Sequence, residues 1–476
     1  MSKTDRRLTF TTALVAVGIT ACGPTEEPPA GTAITNVTVL DAVNGLREGQ
    51  TVIFDGDEIL AVQPASEPVN AVTEIDGSGQ FLIPGLWDMH VHLTYDDAFT
   101  ESMPSMFLAY GITSVRDTGG LIRKMRPVID AMRAEDAVAP RVFFSGPLLD
   151  GQYVVYDGES RPEIGTQNAG VEAAWANVEA LHNEGVDFIK IYEMVTPQVF
   201  EALHAAAAEY DLPIAAHVPL SMRARGAGPQ VDSMEHLRNV ELDCASNAAE
   251  LHEERLGTLA AHDGGPGFEL RSSMHSAQRL RAIAAYDERQ CAETIASLRS
   301  TTQVPTLLLN TLSLFPPFVR QDWDTVLDRV PAAAEADWRA ATARWLARED
   351  QPDTTFGEWS VDLVGRMNAA GVPIGAGTDT PIGFALPGDS LHIELERLNQ
   401  AGMSPVEVLE AATIRPASFF SLEEEMGQVA TGFVADMLLL GANPLNDIRN
   451  TRSIVRVISA GRVLEPSALL SDALAR

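Results

Sequence analysis

The sequence predicts an α/β protein built around a (β/α)₈ barrel, the TIM-barrel architecture, with a small β-sandwich domain formed from both termini. Two observations carry this prediction. In the middle of the chain, short apolar runs alternate with helical patterns, which is the rhythm of βα units and a parallel sheet. On both sides of that region the sequence changes to short β-branched runs separated by turn residues.

The two ends of the chain predict strands that meet in one sandwich. Near the N-terminus, AITNVTVLDA and TVIFDGDEILAV alternate apolar and polar positions, and the Asp-Gly pair at Asp55 predicts a hairpin turn. Near the C-terminus, GFVADMLLLGANP and SIVRVISAGRVLE have the same pattern. We therefore assign residues 33–83 plus 425–467 to the sandwich and residues 84–424 to the barrel.

Eight apolar runs in the middle region predict the barrel strands. In chain order they are LIPGLWDMHVHL, ITSVRD, RVFFSG, DFIKIY, PIAAHV, DSMEHL, VPTLLL and PIGAGTD. After the fourth run, Thr196 as N-cap and Pro197 at the first helical position predict a helix. Insertions at about 147–168, 238–300 and 311–360 follow strand ends, where barrel enzymes place their active sites, so we expect them to cover a substrate pocket.

The N-terminus has the pattern of a secretory signal. Lys3, Arg6 and Arg7 precede an apolar run over residues 8–21 that is too short to span a bilayer, and Cys22 follows it. The residues before the cysteine resemble a bacterial lipobox. A plain signal peptide with an incidental cysteine is the alternative.

The lipobox resemblance predicts where the mature protein resides. Residues 1–21 are then a lipoprotein signal peptide, Cys22 is acylated, and residues 22–32 form a flexible Pro/Glu-rich tether. We expect a lipid-anchored protein on the periplasmic side of a bacterial membrane. The outer membrane is favoured, because Gly23 lacks the acidic character associated with retention at the inner membrane.

The composition limits the partners. A net charge of −32 argues against nucleic-acid binding, which needs a basic face. It also argues against adsorption on anionic lipid headgroups, so a membrane is expected only through the lipid anchor. We expect a small-molecule substrate, and a homo-oligomer is left open. Cys244 and Cys291 either pair in an oxidising periplasm or remain two buried thiols.

Residues suited to metal binding lie on the predicted barrel strands. His90 and His92, two apart on the first strand, point to the same face and can chelate a divalent metal. Lys190 lies inside the otherwise apolar fourth strand, where an unpaired ammonium is costly to bury. The fifth, sixth and eighth strands end in His217, His236 and Asp379.

This ordered set closely resembles the amidohydrolase superfamily, which has paired histidines, a lysine on strand four, one histidine on each of strands five and six, and an aspartate on strand eight. The segments GTDTP, SLHIELE and ATIRPAS look like the branch that contains Xaa-Pro-type dipeptidases and imidazolonepropionase-related amidohydrolases. The resemblance covers nearly the whole chain, from about residue 33 to residue 467.

The resemblance implies a binuclear zinc site and amide hydrolysis. His90, His92 and Asp379 would hold one ion, and His217 and His236 the other. A carbamate formed by CO₂ on Lys190 would bridge them. A metal-bound hydroxide would attack the scissile carbonyl, and Asp379 would carry the proton to the leaving amine. An unmodified Lys190 that extends its amine towards solvent is the alternative.

Other residues have less specific roles. Tyr192, two residues after the strand-four lysine, either polarises the scissile carbonyl or contacts the substrate, or else fills the upper layer of the barrel. Arg116 either binds a substrate carboxylate or pairs with the adjacent Asp117. His392 either lines the pocket or supports a ligand from behind. Glu235 is expected to face away from the site and to be structural.

Several functions remain open on these residues. The leading one is cleavage of an amide C–N bond in a dipeptide or an N-acyl amino acid. Ester or lactone hydrolysis is an alternative, because the same nucleophile attacks any acyl carbon. Cyclic-amide hydrolysis is another, although those relatives often lack the strand-four lysine. An inactive metal-binding surface protein would be expected to have lost a ligand, and none is lost.

Overall fold

The computed structural model describes residues 31–159 and 161–475 of the chain. The predicted signal peptide, Cys22 and nearly all of the predicted tether lie outside the described residues. Within these ranges, no helix combines the length and the apolar character needed to cross a membrane.

The strands and helices alternate through the middle of the chain. The strands are β1 (Thr32–Asp41), β2 (Gly45–Asp55), β3 (Glu58–Pro64), β4 (Thr73–Asp76), β5 (Phe81–Pro84), β6 (Leu86–Val91), β7 (Ile112–Asp117), β8 (Arg141–Phe144), β9 (Leu148–Asp150), β10 (Gly165–Gln167), β11 (Ile189–Ile191), β12 (Ile214–Ala216), β13 (Ser233–Glu235), β14 (Thr302–Val304), β15 (Met437–Leu440), β16 (Ile454–Ser459) and β17 (Arg462–Leu464). The α-helices are α1 (Asp97–Thr100), α2 (Met103–Ala109), α3 (Ile122–Met132), α4 (Val171–Asn183), α5 (Pro197–Glu209), α6 (Ala224–Ala227), α7 (Val240–Asp243), α8 (Ala248–Ala261), α9 (Gly267–Ala284), α10 (Glu288–Ser297), α11 (Leu307–Asn310), α12 (Trp323–Leu327), α13 (Ala332–Leu346), α14 (Thr355–Ala369), α15 (Asp389–Gln400), α16 (Pro405–Ala411), α17 (Ile414–Phe419) and α18 (Pro466–Ala475).

The two ends of the chain build one sheet. Its strand order is β17-β16-β15-β5-β1-β2-β3, with β4 beside β1. The hairpin expected at Asp55 joins β2 and β3, and the C-terminal strand β15 pairs antiparallel with the N-terminal strand β5. Because side chains alternate across a strand, residues such as Val39, Phe54 and Leu439 face inward and form an apolar cluster of their own.

The strands of the middle region are parallel, as the βα rhythm predicts. One sheet has the order β6-β7-β8 and a second has the order β10-β9-β11-β12-β13-β14. All six residues of β6 are buried, which fits a parallel sheet covered on both faces. The predicted helix after the fourth run is confirmed as α5, where the Thr196 side chain accepts a hydrogen bond from the Val199 amide.

The predicted eighth strand, PIGAGTD, is not a regular strand, which corrects the expectation. Its residues nevertheless bond to a strand on each side. The Gln303 amide of β14 donates to the Pro373 carbonyl (2.8 Å), and the Met89 amide of β6 donates to the Ala376 carbonyl (2.9 Å). A Cβ on Gly377 would lie 2.8 Å from the His90 Cβ, so the close contact with β6 requires glycine at this position. This close contact disrupts the regular hydrogen-bond ladder of a strand.

The predicted seventh strand, VPTLLL, is displaced. The strand β14 ends at Val304, before Pro305, and Leu307–Asn310 is the short helix α11. Proline cannot donate to a ladder, and Thr306 has a left-handed backbone with φ 46°. The first amides of α11 are then bound by the Glu394 carboxylate, at 2.9 Å and 2.7 Å. The leucines therefore begin a helix.

The insertion at 238–300 is helical and covalently closed. It contains α7 to α10, and a disulfide joins Cys244 at the end of α7 to Cys291 in α10. Of the two alternatives that the sequence left open, the cysteines form a disulfide and are not two separate buried thiols. It encloses α9, whose side chains reach the site described next.

Candidate metal centre

Four histidines at the ends of the middle strands each have the Nδ1 atom held by an oxygen. The pairs are His90 with Glu235 Oε2 (2.6 Å), His92 with the Gly119 carbonyl (2.9 Å), His217 with Glu193 Oε1 (2.8 Å) and His236 with Thr306 Oγ1 (2.6 Å). Ionised carboxylates and carbonyls only accept hydrogen bonds, and the Thr306 hydroxyl already donates to the Pro305 carbonyl. Each Nδ1 therefore carries the hydrogen, and each Nε2 is left as a lone-pair donor.

Three of the free Nε2 atoms converge on Asp379. Its Oδ1 lies 3.0 Å from His92 Nε2 and 3.3 Å from His90 Nε2, and its Oδ2 lies 3.9 Å from His236 Nε2. The ring of His217 is 4.8 Å from that of His236. Ligand atoms of His90, His236 and Asp379 all lie within 4.8 Å of one another. Imidazole nitrogens and a carboxylate at these separations fit a divalent cation.

The side chain of Lys190 is buried beside these histidines. Its Nζ has no hydrogen-bond partner within the described part of the chain. Burial lowers the pKa of Lys190 to about 8, because the charged form loses its hydration. An amine buried without a hydrogen-bond acceptor is unfavourable. An additional anionic group at this position would remove this feature.

All six predicted ligands line one small cavity, together with Tyr192. The other lining residues are Leu148, Tyr156, Ile164 and Ile382. The cavity measures about 20 Å³, which is room for about one water molecule. A substrate can enter only if side chains of this lining move, and three of them, Leu148, Tyr156 and Ile164, belong to the predicted covering insertion at 147–168.

The backbone takes an unusual conformation at the site. His236 and Asp379 both have left-handed backbones, with φ of 62° and 64°. Such values are rare for residues other than glycine and cost roughly 1–3 kcal/mol each. The turn at His236 breaks the strand alternation, so Glu235 does not face away from the site as the strand pattern predicts. Its carboxylate instead fixes the His90 ring.

Arg116 is bonded to protein groups in the interior and does not line the cavity, which does not support the predicted contact with a substrate carboxylate. Its guanidinium is fully buried and donates to the Met89 carbonyl (2.6 Å), Ser233 Oγ (3.0 Å) and Glu235 Oε1 (2.8 Å). It does not pair with Asp117 either, whose carboxylate accepts from the backbone amides of residues 93 and 119. Arg116 positions Glu235, which in turn holds His90.

His392 lies away from the cavity, and both predicted roles for it are wrong. It is buried, with Nδ1 2.9 Å from Thr451 Oγ1 and Nε2 2.9 Å from the Tyr110 carbonyl. These contacts join α15 to α2 and to the 3₁₀ helix Ile448–Arg452. The side chain therefore stabilises the packing of three helices.

Tyr192 does line the cavity, with its ring centroid 4.4 Å from that of His217. This position is compatible with a contact to the substrate and with a packing role. Its function stays a prediction.

The partners of His217 are not apparent from the sequence pattern. Glu193 holds the His217 Nδ1 and also binds Arg271 Nη2 (2.7 Å) and His275 Nε2 (2.6 Å). Against the effect of burial, the charges of Arg271 and His275 hold the pKa of Glu193 well below its usual range. Arg271 and His275 are four residues apart in α9, and that helical spacing is the signal that could have identified them.

Two curated relatives illustrate what the chain is similar to. It is 21% identical to the imidazolonepropionase of Shouchella clausii (strain KSM-K16) over 95% of this chain and 92% of the relative. It is 32% identical to the adenine deaminase of Edwardsiella ictaluri (strain 93-146), but over only 19% of this chain. The chain therefore spans 15% of that deaminase's length.

Two solved structures share the fold. A Xaa-Pro dipeptidase with bound methionine superposes with a TM-score of 0.63 at 20% identity, covering 91% of this chain and 99% of that one. A bottromycin amidohydrolase superposes with a TM-score of 0.70 at 23% identity, covering 93% of this chain and 90% of that one. At these identities the likeness establishes the fold alone.

A family model describes most of the region around the site. The amidohydrolase family model matches residues 81–250 and 360–464, which together are more than half of the chain. The matched residues include all six predicted ligands. Members of this family generally use divalent metals, which agrees with the donor atoms that converge here. The chain belongs to the amidohydrolase family.

Proposed function

We propose that the protein is a binuclear zinc hydrolase that cleaves the amide C–N bond of a dipeptide or an N-acyl amino acid. One observation carries the proposal. Four histidine Nε2 atoms, each oriented by an oxygen on the opposite ring nitrogen, converge with Asp379 and Lys190 on one buried cavity. Structural histidines rarely share such an arrangement, whereas metal ligands commonly do.

The residues divide into two sets of ligands. His90, His92 and Asp379 would hold one zinc ion, and His217 and His236 would hold the other. The chemistry that two such ions would supply is a water molecule of lowered pKa and a polarised scissile carbonyl. All of the donors are nitrogen or oxygen atoms, which suits zinc.

Lys190 is carboxylated in this proposal. Its neutral amine adds to the carbon of CO₂ and loses one proton, so the side chain gains a carbamate and a negative charge. Its buried position without a hydrogen-bond partner supports this change, because an anion between the two sets of ligands is stabilised where an ammonium is not.

Asp379 and Tyr192 act on the reacting atoms. The Asp379 carboxylate accepts the proton of the attacking water and delivers it to the leaving nitrogen, which is the usual work of a positioned general base. The Tyr192 ring lines the same cavity beside His217, and its hydroxyl donates to the carbonyl oxygen as charge develops there.

The scaffold of this site is a closed (β/α)₈ barrel over residues 84–424, with a separate sandwich over 33–83 plus 425–467. The parallel order of the middle strands supports the barrel. Two isolated parallel bridges also support the barrel. Residue 374 bridges to Gln303 of β14 and residue 380 bridges to Val91 of β6, so this segment links the last strand of the middle region to the first. Closure brings all the ligand-bearing strand ends to one face.

One second candidate has specific support. The imidazolonepropionase relative matches over nearly the full chain, which favours hydrolysis of a cyclic amide. Ester or lactone hydrolysis and an inactive metal-binding protein stay alternatives without such support. Lys190 counts against a mononuclear cyclic-amide site, because it has no role there.

Metal content and a substrate screen test the proposal. Protein expressed with zinc and bicarbonate should contain two zinc ions per chain by elemental analysis. It should hydrolyse members of a library of dipeptides and N-acyl amino acids, with cyclic amides and esters as comparison sets. One ion or none per chain would contradict the binuclear site. Turnover of cyclic amides or esters alone would contradict the substrate class.

The proposal also includes a lipid anchor. Cys22 is acylated, and the mature protein is attached to the outer membrane on its periplasmic side. Cys22→Ser should therefore leave unprocessed or soluble protein, as judged by membrane fractionation with Cys291→Ser as the control. Unchanged membrane attachment of Cys22→Ser would exclude the lipobox.

A further inference from the structure

A buried triad of side chains lies behind the ligand His90. Arg116 Nη2 donates to Glu235 Oε1 (2.8 Å), and Glu235 Oε2 holds His90 Nδ1 (2.6 Å). The arginine and the glutamate are buried and lie on β7 and β13, two strands of the middle region. The strands themselves therefore anchor this first triad, which supports the proposed ligand set of His90, His92 and Asp379.

A second triad of the same composition lies behind the ligand His217. Arg271 donates to Glu193 Oε1 through Nε (2.9 Å) and Nη2 (2.7 Å), and the same oxygen holds His217 Nδ1 (2.8 Å). The other carboxylate oxygen, Oε2, lies 2.6 Å from His275 Nε2. Glu193 is fully buried, so these charge-assisted bonds keep its carboxylate in one orientation.

The two triads differ in the elements that carry them. The donors of the second triad to Glu193 lie in α9, which belongs to the 238–300 insertion and not to the strands. A Cβ on Gly267, the first residue of α9, would lie 2.6 Å from the Val154 carbonyl oxygen. The start of α9 is thus closely packed on the other covering insertion, at 147–168.

The far end of α9 is held within its own insertion. The Ser246 amide donates to the Ala285 carbonyl (2.8 Å), and the Asp287 amide donates to the Cys244 carbonyl (2.8 Å). Cys244 is in turn joined to Cys291 by the disulfide. Two covering segments therefore hold the helix that completes the second triad.

We infer that Arg271 and His275 are positioning residues of the metal centre, which make the ion proposed at His217 and His236 depend on the docking of α9. The inference rests on the proposed function, because it concerns one of the two proposed ions. Partners behind a ligand histidine typically contribute roughly 10–100-fold to metal affinity. Without the donors from α9, the Glu193 carboxylate would lose its orientation and would no longer fix the His217 ring. The other ligand set depends on the first triad.

Zinc titration of the metal-free protein in bicarbonate buffer tests the inference without depending on turnover. Calorimetry gives the affinity of each ion, and elemental analysis gives the number of ions per chain. The variants are Arg271→Met, Arg271→Lys and His275→Gln. The control is Arg281→Met, which removes an exposed arginine of α9 paired with Glu254. The Tm of each metal-free variant shows whether the fold persists.

The wild type should bind two zinc ions, and Arg271→Met should bind one of them with unchanged affinity and the other roughly 10–100-fold more weakly. Removal of a cation by itself favours the binding of another cation, so a weakened affinity reports the lost orientation and not the lost charge. Arg271→Lys should be intermediate, because an ammonium lacks the paired donors of a guanidinium. His275→Gln keeps a donor for Glu193 and should stay near the wild type, as should Arg281→Met.

Three outcomes would overturn the inference or separate it from the proposed function. An Arg271→Met variant that binds both ions as tightly as the wild type, or more tightly, overturns the inference. Equal weakening of both ions does so too, because α9 would then serve the whole centre. A wild type that binds fewer than two ions contradicts the binuclear site of the proposed function. The positioning role would then stand only if Arg271→Met weakened a remaining ion.

Discussion

Asp379→Asn should reduce turnover by about 10²–10⁴-fold, the usual loss when a positioned general base is removed. Asparagine preserves the shape of the side chain and one oxygen that can bind a cation. It cannot accept the proton of the attacking water. Three histidine Nε2 atoms lie within 3.0–3.9 Å of the Asp379 carboxylate, so the loss of its charge should also weaken metal retention.

The measurement is kcat on a substrate from the screen, with zinc content determined for the same sample. The control is Asp447→Asn, which removes a surface carboxylate paired with Arg449. A variant that retains both zinc ions and loses turnover supports the role in proton transfer. Near wild-type turnover would contradict the role of Asp379.

Much of the candidate site could be predicted because its residues lie at strand ends. His90 and His92 are two apart on one strand, and that spacing alone places them on one face. His217 directly follows β12, the strand next to the one that carries Lys190, and it lies two residues beyond Ala215, which is opposite Lys190. Local periodicity is enough to derive such positions.

The residues that orient the ligands could not be predicted in the same way. His90 and Glu235 are separated by 145 residues, and no local pattern links them. Strand alternation predicts that Glu235 faces away from the site. The left-handed backbone of His236 breaks this alternation, so the prediction for Glu235 fails. Similarly, the buried environment of Arg116 exists only once β6, β7 and β13 come together.

The fold shows the same division between local and long-range information. The regular strands and α5 followed from alternation and capping. The segment PIGAGTD failed as a strand because Gly375 and Gly377 are required by the close approach of β6, which is a contact between residues almost 290 apart in the chain. Propensity alone does not contain that contact.

Lys190→Ala should reduce turnover at least as severely as Asp379→Asn, but for a different reason. In the proposed site, removal of the side chain would prevent carbamate formation, and the two cations would lack an anion between them. Loss of such a group should weaken metal binding and lower kcat together. The chain contains three lysines, and only Lys190 and Lys124 lie in the described residues, so exposed Lys124→Ala is a matched control.

The carbamate itself can be observed directly. Protein loaded with zinc and ¹³C-bicarbonate should give one carbamate resonance in ¹³C NMR, retained in Lys124→Ala and absent from Lys190→Met. Methionine fills the volume of the lysine without supplying an amine, so it separates the loss of the carbamate from the creation of a cavity. A resonance that persists in Lys190→Met would place the modification elsewhere.

Chemical rescue distinguishes the two defects. In Lys190→Ala the deleted side chain leaves a space in which acetate or propionate can supply the missing carboxylate between the cations. Added acetate should therefore raise the turnover of Lys190→Ala, in parallel with its zinc content. It should not rescue Lys190→Met, where the methionine occupies that space, or Asp379→Asn, where the missing function is proton transfer. Equal stimulation of all three variants would mean that acetate acts elsewhere. Wild-type turnover in Lys190→Ala without acetate would contradict any role of the carbamate.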